Sequence, residues 1–135
     1  MSSFCQDPLL EQHRFDSLNK ALTVQSGDEA GYTLVRLADY YQRLNNGSDS
    51  AAIPYARKAF SFFRRSDNGF GMAWAKFEEG SALLNIRLLD SALAVLQSAK
   101  DIPISDTAKR KNELLGTIWN QIAAIYDRQG NLEAS

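Results

Sequence analysis

The feature that most constrains the fold is a pattern of small residues that recurs at a fixed distance along the chain. Small or apolar residues at offsets of zero, four and seven occur twice, as Ala52, Ala56 and Ala59 and as Ala92, Leu96 and Ala99. Every position of the second set follows its counterpart by 40 residues. Such offsets place side chains on one face of an α-helix, where small residues allow a second helix to approach closely.

A second pattern marks the helix that precedes each of these. An apolar residue is followed three, four and seven positions later by apolar, small and aromatic residues. The pattern occurs as Leu34, Leu37, Ala38 and Tyr41, and again as Trp119, Ile122, Ala123 and Tyr126. Gly80 occupies the small position of a copy between them, 42 residues after Ala38 and 43 before Ala123. Two helices per unit of just over 40 residues indicate an array of helical hairpins, because one hairpin cannot bury its apolar faces alone.

These patterns resemble the tetratricopeptide repeat over roughly residues 28–135. Gly130 fits the glycine that ends the family's first helix, whereas Arg87 replaces that glycine in the middle repeat. Lys76 and Glu79 occupy positions that are usually apolar, and the period exceeds the family's common length of about 34 residues. The segments DSAAIPYARKAF and GMAWAKFEEG are similar, more narrowly, to the amino-terminal repeat arms of bacterial sensor kinases and transcriptional regulators.

The resemblance implies an all-α fold in which antiparallel helix hairpins stack into a right-handed α-solenoid. It divides the chain into a tail and capping helix over 1–27 and repeats over about 28–66, 67–103 and 104–135. The last repeat is expected to be truncated after its first helix, with its second helix beginning at Gly130. We therefore expect either a fragment of a longer protein or self-association through the uncovered face.

Local signals refine the helix boundaries. Asp7 and Pro8 suit a helix start, which predicts a capping helix from Pro8 to about Gln25. Pro54 is expected in the first turn of its helix, with Ser50 as the N-cap. Phe60 lies near Ala56 on the predicted inner face and is expected in the core. A long helix is predicted over residues 107–128.

Composition excludes several classes of function. The net charge is −1 and charged residues make up 23% of the chain, so nothing favours nucleic acid or an anionic membrane as a partner. No apolar run approaches the roughly 20 residues that span a bilayer, and no signal peptide is visible. We expect a cytoplasmic location by default, or a periplasmic one if the parent protein carries a signal peptide. Cys5 is the only cysteine, which leaves the redox compartment open.

The sequence offers no catalytic constellation. It contains no nucleophile elbow, phosphate loop, HExxH or CxxC pattern, and His13 has no second ligand nearby. Glu78 and Glu79 are adjacent on a helix and point about 100° apart, so they do not converge on a substrate. Glu79, at an inward position, is expected to accept a hydrogen bond or to pair with an arginine such as Arg87. We predict no enzyme activity, no cofactor and no metal site.

A protein-binding groove is the remaining candidate site. In the family that the sequence resembles, the first helices of the repeats line a concave groove that holds peptides or helices. Mapped through the repeat pattern, the groove residues are Tyr32, Arg36, Asp39, Arg43, Trp74, Phe77, Glu78, Ser81, Asn85, Asn120, Gln121, Asp127 and Arg128. Trp74 and Phe77 form either the anchoring patch for a partner or a part of the core under the amino-terminal helix.

The leading hypothesis is a protein-interaction module, and more narrowly the regulatory or sensory arm of a larger bacterial signalling protein. Its partner is expected to be a protein or peptide, with no nucleic acid and no membrane insertion. Two alternatives stay open: homodimerisation through exposed repeat ends, and a helical domain that binds a small ligand in the groove.

Overall fold

The structure is a computed structural model, and it is helical in every secondary-structure element that it describes. It describes residues 27–44, 49–105 and 108–134, together with five helical residues between positions 13 and 20. The helices are α1 (Gly27–Arg43), α2 (Asp49–Arg65), α3 (Gly69–Asn85), α4 (Leu89–Lys100) and α5 (Ala108–Ala134). No strand occurs among the described residues, so the all-α prediction is confirmed.

The five helices form two layers. Each helix packs against the next one along the chain, and in addition α1 contacts α3 and α3 contacts α5. In contrast, α2 and α4 make no contact with each other. One layer therefore contains α1, α3 and α5, and the other contains α2 and α4.

The small-residue faces are buried between these layers. Ala52, Ala56 and Ala59 of α2 are buried, as are Ala92, Leu96 and Ala99 of α4. A Cβ added at Gly80 of α3 would lie only 2.6 Å from Leu96 Cγ, so this glycine is required for the close approach of α3 and α4. The sequence prediction of closely packed helix faces is confirmed.

The ring of Phe63 holds three helices together. It is fully buried at the end of α2 and lies between Gly31 of α1 and Gly71 of α3. A Cβ at Gly31 would come within 2.7 Å of Phe63 Cζ, and one at Gly71 within 2.3 Å of its Cδ1. The two glycines thus form a slot for the ring, and the ring of Tyr32 packs edge-on against it with centroids 4.8 Å apart.

The prediction that Phe60 is a core residue is only partly right. Phe60 is half-buried, and the ammonium of Lys76 lies 4.6 Å from its ring centroid. Phe63 takes the core position because it continues the face of Ala52, Ala56 and Ala59 by four more residues, whereas Phe60 is rotated about 100° from Ala59.

Two helix ends use a left-handed residue that is not glycine. Asp67 after α2 has φ 56° and Arg87 after α3 has φ 70°. In each case the following amide reaches back to a helix carbonyl, from Asn68 N to Phe63 O and from Leu88 N to Leu83 O, both at 2.9 Å. This is the Schellman arrangement, in which glycine is the usual residue at the left-handed position.

Asn68 both caps α3 and ties it to α1. Its Oδ1 accepts a hydrogen bond from Gly71 N at 2.9 Å, which satisfies an amide of the first turn. Its Nδ2 donates to Asp28 Oδ2 and to the Tyr32 hydroxyl, each at 3.1 Å. The start of α3 is therefore fixed against the start of α1.

Two predicted helix boundaries are wrong. Pro54 is the sixth residue of α2 rather than a first-turn residue, because the helix begins before Ser50, at Asp49. Its ring nitrogen cannot donate to the Ser50 carbonyl, a loss that an exposed helix side tolerates more easily. Gly130 does not start a turn, since α5 continues through it to Ala134. An interior glycine costs only about 1 kcal/mol relative to alanine, which is too little to end a long helix.

The amino-terminal predictions fall largely outside the described residues. These include Cys5 and most of the capping helix expected from Pro8 to Gln25. Within the part of the chain that is described, no helix combines the length and the apolar character that crossing a bilayer requires.

We expect Gly71→Ala to destabilise the fold by about 2 kcal/mol, because the added methyl group collides with the Phe63 ring. Gly116→Ala is the matched control, since a Cβ there meets nothing within 4 Å. It should stabilise the fold by up to about 1 kcal/mol through helix propensity alone. Urea unfolding at low protein concentration measures both. Equal changes in the free energy of unfolding for the two substitutions would contradict the claim that Gly71 is needed to accommodate the Phe63 ring.

Arg87→Gly should raise the free energy of unfolding by about 0.5–1 kcal/mol, because glycine adopts the left-handed conformation without steric cost. Arg87→Ala keeps the Cβ and removes the same exposed side chain, so it should give no such gain. The same urea titration compares the two variants. An equal gain in both variants would show that it comes from loss of the arginine side chain and not from relief of the left-handed backbone conformation.

Candidate functional site

Trp74 lies at the centre of the layer formed by α1, α3 and α5. Its ring, half-buried on α3, has the rings of Tyr32 and Phe70 as neighbours, with centroids 5.8 and 6.0 Å away. Its Nε1 donates a hydrogen bond to Glu78 Oε2 at 3.2 Å, one helical turn further on. The tilted and edge-on ring contacts and this hydrogen bond together hold the indole in one orientation.

Glu78 is a buried carboxyl group between α3 and α1, with a relative exposure of 5%. Gln42 of α1 donates through Nε2 to Glu78 Oε1 and also to its backbone carbonyl, the latter at 3.3 Å. Burial raises the pKa of Glu78 to about 8, and the charge of Asp39 adds to this, while the hydrogen bonds from Trp74 and Gln42 and the charge of Arg43 oppose it. The group is therefore mostly neutral at pH 7.

Ser81 is a further buried polar residue on the same helix, after Glu78 and Glu79. Its Oγ is buried and has no hydrogen-bond partner among the described residues. A buried hydroxyl without a partner costs free energy, so a ligand atom that accepts or donates here would recover part of that cost.

A cavity of about 300 Å³ lies next to Trp74, between the first half of α3 and the first half of α5. Its lining residues are Phe70, Trp74, Arg110, Glu113, Leu114 and Thr117. The Arg110 guanidinium lies 4.1 Å from the centroid of the Phe70 ring. The cavity thus combines an apolar wall with one cation and one carboxylate, which suits an apolar side chain on a polar backbone.

The structure brings together only part of the predicted groove. On α1, Tyr32 contacts Trp74, Arg36 is exposed, and Arg43 pairs with Asp39 at 3.1 Å. On α3, the Trp74 indole donates a hydrogen bond to Glu78, and Asn85 is exposed. On α5, Gln121 is half-buried, and Asn120, Asp127 and Arg128 are exposed and do not line the cavity.

Phe77 does not form the expected patch with Trp74. It is half-buried and packs against the apolar core between α3, α4 and α5. The aromatic partners of Trp74 are Tyr32 and Phe70. The patch therefore centres on Trp74 and Phe70, at a spacing of four residues.

Sequence reasoning missed Gln42 and the cavity residues other than Trp74. The only sequence signal for Phe70 is an aromatic residue one turn before Trp74 on the same helix face. Nothing in the sequence aligns α3 with α5, so Arg110 and Thr117 were not predictable as neighbours of Trp74.

Glu78 and Glu79 point to different neighbours, as their adjacent helix positions predict. Glu79 is buried towards α2, where Arg57 Nε lies 2.9 Å from its Oε2, and Lys76 Nζ is 3.9 Å from Oε1. Glu79 thus pairs with an arginine as expected, but the partner is Arg57 and not Arg87, which lies beyond the end of α3 in the turn. Within the described residues, no cluster of three or more His, Cys, Asp or Glu side chains could hold a metal ion.

Comparison with known proteins adds no relative. No protein-family model matches the sequence, and neither curated proteins nor solved structures give a match. The site is thus interpreted from its own geometry.

The free energy of unfolding should fall as the pH rises from about 4.5 to about 8. Below pH 4.5 Glu78 is protonated in both the folded and the unfolded chain. Between pH 4.5 and pH 8 it stays protonated only in the folded chain, so the free energy of unfolding falls with rising pH. The total decrease is at most about 5 kcal/mol, and it levels off above pH 8. Glu78→Gln should remove this decline, whereas Glu113→Gln, at an exposed position, should leave it unchanged.

Carboxyl carbon NMR shifts followed across a pH titration measure the Glu78 pKa directly. A midpoint near 4.5, with the stability decline unchanged in Glu78→Gln, would contradict the buried neutral carboxyl group.

Proposed function

We propose that this chain is a protein-interaction module that binds a peptide or a helix along the layer of α1, α3 and α5. The arrangement that we propose for it is tetratricopeptide-like. In support, α3 contacts both α1 and α5, whereas α2 and α4 make no contact with each other. The helices of the α1, α3 and α5 layer therefore lie closer together than those of the α2 and α4 layer. This fits an array that curves with α1, α3 and α5 on its concave side.

The observation that carries the proposal is the cavity beside Trp74. It is open to a side chain of the size of leucine or phenylalanine, and its apolar wall comes from Phe70, Trp74 and Leu114. Aromatic residues that bury a partner's apolar group in such a pocket supply most of the energy in protein interfaces.

Trp74 is held in place before any partner binds. Its ring contacts Tyr32 and Phe70, and its Nε1 is bonded to a carboxyl group that is itself held by Gln42. A side chain that is already ordered loses little conformational entropy on binding, which favours affinity.

Exposed charges around this layer orient the partner in our proposal. Arg36 on α1 and Arg128 on α5 are exposed, and Arg43 is paired with Asp39 only at the surface. These groups contribute mainly to orientation and association rate, since exposed ion pairs add little affinity. The narrower proposal, a sensory arm of a bacterial signalling protein, rests only on the resemblance within residues 49–60 and 71–80.

The test uses peptides selected from a random display library against the whole chain. Affinities are then measured from Trp74 fluorescence in a Trp119→Phe background, in which Trp74 is the single tryptophan. Thr117→Phe fills the cavity from α5 and should weaken binding about 10-fold or more. Thr117→Val has nearly the shape of threonine and should keep the affinity.

Circular dichroism and thermal unfolding verify that both Thr117 variants remain folded. Unchanged affinity in Thr117→Phe, or selected peptides that leave Trp74 fluorescence unaffected, would argue against this cavity as the binding site.

A further inference from the structure

α5 exposes a stripe of alternating small and aromatic residues. The stripe consists of Gly116, Trp119, Ala123, Tyr126 and Gly130, spaced alternately by three and four residues. All five are exposed, with relative exposures of 53% for Trp119 and 52% for Tyr126. We refer to these five residues as the α5 stripe.

The same positions of α1 are covered by a helix. Gly31, Leu34 and Ala38 of α1 correspond to Gly116, Trp119 and Ala123 of α5 at a constant separation of 85 residues. In α1 all three are buried, and Phe63 of α2 lies against Gly31. On α5, a Cβ at Gly116 or Gly130 would meet nothing within 4 Å. The α5 stripe thus has the composition of a helix-docking face without a covering helix among the described residues.

Side chains of α4 contact both aromatic residues of the stripe. The Lys100 ammonium lies 5.1 Å from the centroid of the Trp119 ring, and Gln97 Nε2 donates to the Tyr126 hydroxyl at 3.1 Å. Each ring is therefore positioned by α4 while about half of the residue remains open to solvent.

The stripe is complementary to itself in the antiparallel direction. A second α5 laid antiparallel, with the twofold axis at Gln121, places Trp119 opposite Ala123 of the second copy and Tyr126 opposite Gly116 of the second copy. Each large residue then faces a small one, as Phe63 faces Gly31 between α1 and α2. Gln121 is the middle residue of α5, so this register pairs the helix over its full length.

The charges of α5 favour the same direction. Its first half carries Lys109, Arg110 and Lys111 with the single carboxylate Glu113, at the helix end where the dipole disfavours cations. Its second half carries Asp127 and Glu133 with the single cation Arg128. Antiparallel pairing places the basic half of one helix beside the acidic half and the carbonyl end of the other.

We propose that the α5 stripe binds a second copy of this chain, forming an antiparallel α5–α5 pair about a twofold axis at Gln121. Such an interface is isologous and closes as a dimer. The α5 residues that line the cavity beside Trp74 are Arg110, Glu113, Leu114 and Thr117, none of which belongs to the α5 stripe. The function of the cavity is tested separately, so neither proposal depends on the other.

Sedimentation equilibrium from low micromolar to near-millimolar concentration tests the dimer. The mass should rise from one chain to two, and higher salt should weaken the association. Ala123→Glu places a charge in the centre of the stripe and should weaken association about 10-fold or more. Ser61→Glu is the control, because Ser61 is exposed on α2, a helix that makes no contact with α5, and this variant should dimerise like the wild type.

The register has its own test. Trp119→Ala and Ala123→Trp should each weaken the dimer, and the double variant should restore it, because the large and small partners merely exchange places across the axis. A double variant no better than the single ones would overturn the antiparallel register.

The proposal would be overturned if the mass stayed that of a single chain at every concentration. It would also be overturned if Ala123→Glu left the dimer intact. A third contradicting result would be a monomer whose Trp119 fluorescence changes on addition of a peptide with the sequence of α2. The last result would assign the stripe to a helix of α2-like composition instead of to a second copy.

Discussion

The insertion of the Phe63 ring between Gly31 and Gly71 is the constraint on which the rest of the structure depends. Because both glycines lack a Cβ, the ring of an α2 residue reaches the backbones of α1 and α3 at once. Core packing of this density tolerates no added methyl group without strain. The spacing and direction of α1 against α3 follow from it, and Asn68 fixes the register at the start of both helices.

The candidate site is a consequence of that spacing. With α1 and α3 in contact, Gln42 reaches the carboxyl group of Glu78, and Tyr32 reaches the ring of Trp74. Burial raises the pKa of Glu78 to about 8, which leaves a mostly neutral carboxyl group at pH 7 beside Trp74. A neutral carboxyl group anchors Trp74 without the desolvation cost of a buried charge.

Much of the fold was predictable because the packing faces of its helices appear in the sequence as short periodic patterns. The stripes of Ala52, Ala56 and Ala59 and of Ala92, Leu96 and Ala99 predicted the closely packed helix faces correctly. The site was less predictable because it depends on contacts between helices that are distant in sequence. Neither the hydrogen bond of Gln42 to Glu78 nor the cavity between Trp74 and Thr117 has a local signal. The turn expected at Gly130 failed because helix propensity is a weak term in a helix of 27 residues.

A crystal structure of the chain with a library-selected peptide is the measurement that tests the central claim most directly. Our account predicts a peptide along α1, α3 and α5, with one apolar side chain in the cavity between Phe70, Trp74 and Thr117. A peptide bound on the outer side of α2 and α4, with that cavity unchanged, would contradict it.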